Sequence, residues 1–186
     1  QIEDQIRIMN EDFSKMNSDA LPSSHPFFPL AADINVQFVL TDVDPSGNPS
    51  NGITRTQTTK SSFDFGEVHY TANGGVANWD PEKFMNIWVV TLGDDYILGY
   101  ASFPSDLTST PAEDGMVIDY RAFGSIGTGG TEGFDAQNLG RSATHEVGHY
   151  LGLRHIWGDE ECGNDGIDDT PPQQEENYGC PSFPHS

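Results

Sequence analysis

The sequence predicts a single domain that mixes strands and helices, α+β or α/β with a mixed sheet. Three observations predict it. An amphipathic helix opens the chain, a series of short apolar runs closed by Pro or Gly follows, and one long helical run comes after them. With 186 residues, 35% of them apolar and 11% aromatic, the chain can bury a core and fits one domain.

The opening helix is read from Ile2, Ile6, Met9, Phe13 and Met16, whose three-to-four spacing lines one face. "INVQFVLTDVDP" sets Ile34, Val36, Phe38 and Leu40 against polar neighbours with the alternation of a half-buried strand, ended by Asp44-Pro45. "PEKFMNIWVVTL" reads as a turn or short helix running into a strand, and "YILGYASFP" and "GMVIDYRAF" as two further strands. "TEGFDAQNLGRSATHEVGHYLGL" is expected as one long helix with Phe134, Leu139, Val147 and Leu151 in the core. From Gly158 onward Gly, Asp, Pro and Cys dominate, which predicts irregular structure.

Composition excludes several functions. Eight Lys and Arg stand against 29 Asp and Glu, a formal charge of −21, and phosphate-rich partners need clustered cations. Nucleic acid and anionic membrane are therefore not expected as partners, and no apolar run reaches the 18 or so residues needed to span a bilayer. The chain begins at Gln1, so an upstream segment is expected to have been removed. Cys162 and Cys180 lack the spacing of a zinc or redox pair, and a disulfide in a secreted, extracellular protein is the preferred reading; their partners stay open.

The chemistry lies in "HEVGHYLGLRH", residues 145 to 155. On a helix His145 and His149 are about 40° apart and share a face, so their imidazoles can meet one ion. Glu146 is turned by about 100° from His145, beside that ion and not on it. Gly152 can take the left-handed conformation that ends a helix, after which His155 returns to the same place. Three neutral imidazoles leave a fourth tetrahedral position for water, the pattern of a catalytic zinc site. Zinc brings that water's pKa toward 7, and Glu146 is placed to take its proton and pass it to a leaving amine. His25, His69 and His185 stand apart and are read as surface or core histidines, and "GSIGTGGTEG" as a flexible loop without the Lys of a phosphate cradle.

HExxHxxGxxH is the zinc signature of the metzincins. Together with "NIWVV", "ILGYASFP", "DGMVIDY", "NLGRSATHEVGHYLGLRHIWGD" and "DDTP", it makes the chain resemble the pappalysin, or cytophagalysin-like, metalloendopeptidases from about Gln5 to its end. The resemblance implies a twisted five-stranded mixed sheet above a cleft, two main helices, zinc on His145, His149 and His155, and Glu146 as general base. It also implies that Leu98, Gly99, Tyr100, Ala101 and Ser102 form the rim strand that pairs with an extended protein or peptide substrate. A structural calcium ion is implied in the loop after the motif, where Asp165, Asp168, Asp169 and Thr170 supply oxygen.

Relatives carry a methionine turn beneath the zinc, downstream of the third histidine, whereas Met9, Met16, Met85 and Met116 all precede His145. The expectation is one catalytic domain over 1–186, with an N-terminal subdomain of about 1–152 and an incomplete C-terminal subdomain from 153, completed by a separate C-terminal fragment of the same protein. Two alternatives stand beside the secreted endopeptidase. One is a gluzincin whose third ligand is a carboxylate such as Glu175 or Asp169; the other is a non-catalytic, calcium-stabilised binding domain with a relic zinc site.

Overall fold

The computed structural model describes residues 1–94, 97–131, 133–168, 170 and 172–176. Helix α1 spans Ile2–Phe13 and buries Gln5, Ile8 and Met9. Its first turn carries Glu3 and Asp4, charges that suit the positive end of a helix dipole. Asp4 also accepts hydrogen bonds from the Ser125 amide at 2.8 Å, the Ser125 hydroxyl at 2.7 Å and Thr128 Oγ1 at 3.0 Å, which pins the helix to the loop ahead of the motif. Met16, read from the sequence as part of the helical stripe, lies beyond the helix end with 75% of its surface exposed.

The sheet has three strands, β1 (Ile87–Val90), β2 (Gly99–Ala101) and β3 (Met116–Asp119), in the order β1-β3-β2. β1 runs parallel to β3 and β2 antiparallel to it, so the sheet is mixed as expected. Central β3 is buried along its whole length and divides two cores. Met116 and Ile118 face Met9, Phe123, Ala143 and Val147, while Val117 faces Phe63, Val68, Trp88 and Leu92. At its end the fully buried Asp119 accepts hydrogen bonds from the Leu92 amide at 2.9 Å and the Arg121 guanidinium at 2.8 and 2.9 Å.

Three expectations about elements are corrected. The sheet has three described strands where the resemblance implied five, and residues 34–40 pair with no described strand. The reason is local. The Asn10 side chain takes the Phe38 amide at 2.7 Å and donates to the Phe38 carbonyl at 2.9 Å, occupying the groups a ladder would use. Asn35 is left-handed at φ +57°, which breaks the pleat. The long helix is likewise shortened: α2 spans Arg141–Tyr150, preceded by a separate 3-10 turn at Asp135–Gln137. Gly140, at φ +72°, separates them, because a left-handed residue cannot continue a right-handed helix. Leu139 and Leu151 are consequently 49% and 44% exposed, while Phe134 and Val147 are in the core as expected.

Candidate metal centre

Helix α2 is held where the motif needs it by α1. Gln5 Nε2 donates to the Gly140 carbonyl at 2.9 Å, and the Asp12 carboxylate receives Arg141 at 2.8 Å and Thr144 Oγ1 at 2.6 Å. Ala143 and Val147 bury one face of α2 entirely, which turns His145 and His149 away from the core. The helix ends in a Schellman turn at Gly152, φ +96°, with Leu153 N–H on the Gly148 carbonyl at 2.9 Å and Gly152 N–H on the His149 carbonyl at 2.8 Å. That same turn presents the Leu153 carbonyl to His149 Nδ1 at 2.7 Å, and the chain returns His155 to the helix face.

The three imidazoles converge through one atom each. His145 Nε2 is 3.0 Å from His149 Nε2 and 3.1 Å from His155 Nε2, and the last pair is 3.2 Å apart. Two nitrogens on one tetrahedral zinc, each about 2.0–2.1 Å from it, stand about 3.3–3.4 Å apart, so the spacing fits that ion closely. The chemistry of the donors fits as well. The Leu153 carbonyl and the Asp159 carboxylate each engage an Nδ1 atom, on His149 and His155, which leaves the two Nε2 atoms free to ligate. Burial first, and then the two neighbouring imidazoles, hold His145 below the ordinary histidine range, which favours the neutral ligating form. Among the described residues this is the one group of three His, Cys, Asp or Glu whose ligand atoms gather closely enough for a metal.

Glu146 is 7% exposed, and burial pushes its carboxyl up to about 7. It lies against β2: a Cβ on Gly99 would come within 3.0 Å of Glu146 Cγ. Gly99 is thus a close-approach glycine that lets β2 sit on the motif helix. β2 is an edge strand. Ser102 N–H meets the Gly115 carbonyl at 3.0 Å and Asp119 N–H the Leu98 carbonyl at 2.8 Å, so the alternation of an antiparallel ladder turns the backbone groups of Gly99 and Ala101 to the open side.

The other sequence-predicted residues lie away from the three-histidine group or outside the described residues. Asp165, Asp168 and Thr170 lie on an irregular segment where Asp165 Oδ1 accepts from the Ile167 amide at 2.9 Å; Asp169 lies outside the described residues. Cys162 is exposed and Cys180 lies outside the described residues. Glu175, the alternative third ligand, is not part of the cluster. His69 is a core histidine, 3% exposed with its ring edge-on to Trp88 at 4.4 Å. Sequence reasoning missed Asp159 and Trp157, both of which contact His155. The only hint was the four-residue step from His155 to Asp159, too common to single out.

Comparisons with known proteins agree with this geometry. A peptidase family model described as pregnancy-associated plasma protein-A matches residues 72–181. An extracellular metalloprotease of Pyricularia oryzae is 34% identical over 183 residues, 97% of this chain and 51% of that protein. One from Colletotrichum graminicola is 42% identical over 103 residues, 52% of this chain and 34% of its own length. The chain therefore spans about half the length of the first of these relatives. Among solved structures, mature mirolysin of Tannerella forsythia in complex with a cleaved peptide superposes with a TM-score of 0.92 at 46% identity, covering 100% of this chain and 69% of that one.

Proposed function

Because the chain belongs to the pregnancy-associated plasma protein-A, or pappalysin, family of metallopeptidases, we propose that it is the catalytic part of a secreted zinc endopeptidase that cleaves extended polypeptides. The observation that carries the reading is the convergence of three Nε2 atoms to within 3.2 Å of one another beside a buried glutamate. His145, His149 and His155 would hold the zinc ion, which supplies Lewis acidity and makes water acidic enough to be deprotonated near neutral pH.

The remaining steps belong to the chain. The open backbone groups of Gly99 and Ala101 pair with a substrate strand and lay its scissile carbonyl along β2, next to the Glu146 side chain. Leu98, Tyr100 and Ser102 flank that register, with Tyr100 turned into the core on the far face of the sheet. Glu146 accepts a proton from the attacking water and returns it to the leaving nitrogen, so one water is added across the C–N bond and an acid and an amine leave. Burial raises that proton affinity above the ordinary carboxylate range. Secretion is supported by the relatives' names as extracellular proteins; no described helix is long and apolar enough to cross a membrane. A structural calcium ion on Asp165, Asp168, Asp169 and Thr170 is part of the same proposal, supported by the oxygen-rich loop. The division into subdomains near residue 152 is also part of it, since α2 ends there.

The test is cleavage of a peptide library by the protein with and without a zinc chelator, alongside Glu146→Gln. Cleavage that stops with chelator, returns with zinc and is lost in a variant that still binds zinc supports the proposal. Undiminished cleavage by Glu146→Gln sinks it.

A further inference from the structure

Resting on the zinc reading above, we propose that Asp159 is the positioning residue of the metal centre. Its carboxylate holds the His155 imidazole with the proton on Nδ1, leaving the Nε2 lone pair directed at the point the other two imidazoles face.

His155 needs such a device because it lies beyond the helix that carries the other two histidines. His145 and His149 ride on a helix anchored by Ala143 and Val147, both fully buried, whereas His155 follows the helix on a loop whose apolar neighbours Leu153 and Ile156 are 49% and 40% exposed. Two side chains orient the ring instead. Trp157 lies flat against it, with centroids 4.4 Å apart and planes 3° from parallel, which sets the tilt of the imidazole plane. Asp159 meets Nδ1 at the ring edge, which sets the direction within that plane.

The backbone is shaped to bring that carboxylate home. Gly158 and Asp159 are both left-handed, at φ +67° and +62°, and such a pair reverses the chain within two residues. A Cβ on Gly158 would come within 2.3 Å of the Asn164 amide nitrogen, so glycine is required there. Asp159 accepts a left-handed conformation that most non-glycine residues avoid, and such strain concentrates at functional sites. The choice of a carboxylate is chemical as well as geometric. His149 leans on a neutral backbone carbonyl, and three neutral imidazoles bring no charge to a divalent cation. A carboxylate behind one imidazole adds a negative charge and strengthens the ligand's donation.

The experiment uses the full chain, metal-free and then zinc-loaded, as wild type, Asp159→Asn and Asp159→Ala. Nitrogen NMR at pH 8 on ¹⁵N-histidine protein reads each tautomer, and chelator competition reads zinc affinity. The proposal expects His155 to be protonated at Nδ1 in the wild type and to become a mixture of tautomers in Asp159→Ala. His149 keeps its tautomer in every form. Zinc affinity falls about 10–100-fold in Asp159→Ala and by less in Asp159→Asn, which keeps the shape and one accepting oxygen. The metal-free thermal midpoint stays within a degree or two of wild type, a result that a purely structural role would not produce. Wild-type zinc affinity in both variants, or an unchanged His155 tautomer in Asp159→Ala, overturns it. If Asp159→Ala does not fold, Asp159→Asn decides by zinc affinity: a fall below wild type supports the proposal, and wild-type affinity overturns it. A wild type that takes no zinc but whose His155 tautomer follows Asp159 supports the pairing and overturns the zinc reading instead.

Discussion

The two halves of the motif are built on different physics. His145, Glu146 and His149 sit on α2, whose other face is buried against Met9, Met116 and Ile118 and whose first turns are tied to Gln5 and Asp12 of α1. His155 sits on a loop with little apolar cover and is oriented by one stacked indole and one carboxylate. The helical half draws its precision from the core that stabilises the whole domain. The loop half draws its precision from local contacts that the fold could lose and still stand. Damage to the first should therefore appear as unfolding, and damage to the second as weak metal binding in a folded protein.

The largest effect separates chemistry from both halves. Glu146→Gln preserves size and removes the base, so peptide hydrolysis is expected to fall about 10²–10⁴-fold while bound zinc, measured by elemental analysis, is unchanged. A variant that loses zinc together with activity would show that Glu146 serves the ligands and not the reaction.

Next comes the core beneath the helical half. Met9→Ala empties a fully buried site between α1 and α2 and is expected to cost about 2–5 kcal/mol in a denaturant titration. Trp157→Leu, in the loop half, is expected to change that midpoint little and to weaken zinc binding. Equal destabilisation by the two substitutions would erase the distinction.

Gly152 joins the halves. At φ +96° an added Cβ is strained, and Gly152→Ala is expected to cost about 1 kcal/mol and to loosen the Schellman turn that gives Leu153 to His149. Thermal unfolding and chelator competition on the same sample measure the two consequences together.

The smallest effect is acid sensitivity at the end of β3. Burial alone would raise Asp119, but hydrogen bonds from the Arg121 side chain, then from the Leu92 and Arg121 amides, outweigh it and hold the carboxyl below its ordinary range. A folded value below the unfolded one, about 3.9, means stability that is present above that pH and lost as pH falls through the folded value. Asp119→Asn is therefore expected to lower the thermal midpoint at pH 7 and to flatten its decline below about pH 4. A decline as steep as wild type would assign the acid sensitivity elsewhere.

How much was legible in the sequence differs between these regions for the same reason. The motif names its own geometry, since His145 and His149 must share a helix face and Gly152 must end the helix, whatever surrounds them. The strands Ile87–Val90 and Met116–Asp119 were legible because apolar runs bounded by turn residues have few other uses. Residues 34–40 have the better alternation and yet join no ladder, because Asn10 of α1 takes both backbone groups of Phe38. The helix before Arg141 was overdrawn because apolar spacing does not report that Gly140 turns left-handed, where a Cβ would meet Ile8 at 2.7 Å.

What the sequence by itself determined is the chemistry: three imidazoles, one carboxylate and the glycine that lets them meet are adjacent in the chain, so local helical geometry alone brings most of them together. What only the tertiary structure decided is what holds that chemistry in place. Gly99 admits the rim strand to Glu146 from 47 residues away, α1 clamps α2 across the molecule, and Asp159 reaches His155 only after two left-handed residues fold the loop back. Contacts distant along the chain, or dependent on a rare backbone turn, leave no periodic trace, because pattern reports neighbours along an element and not what packs across it.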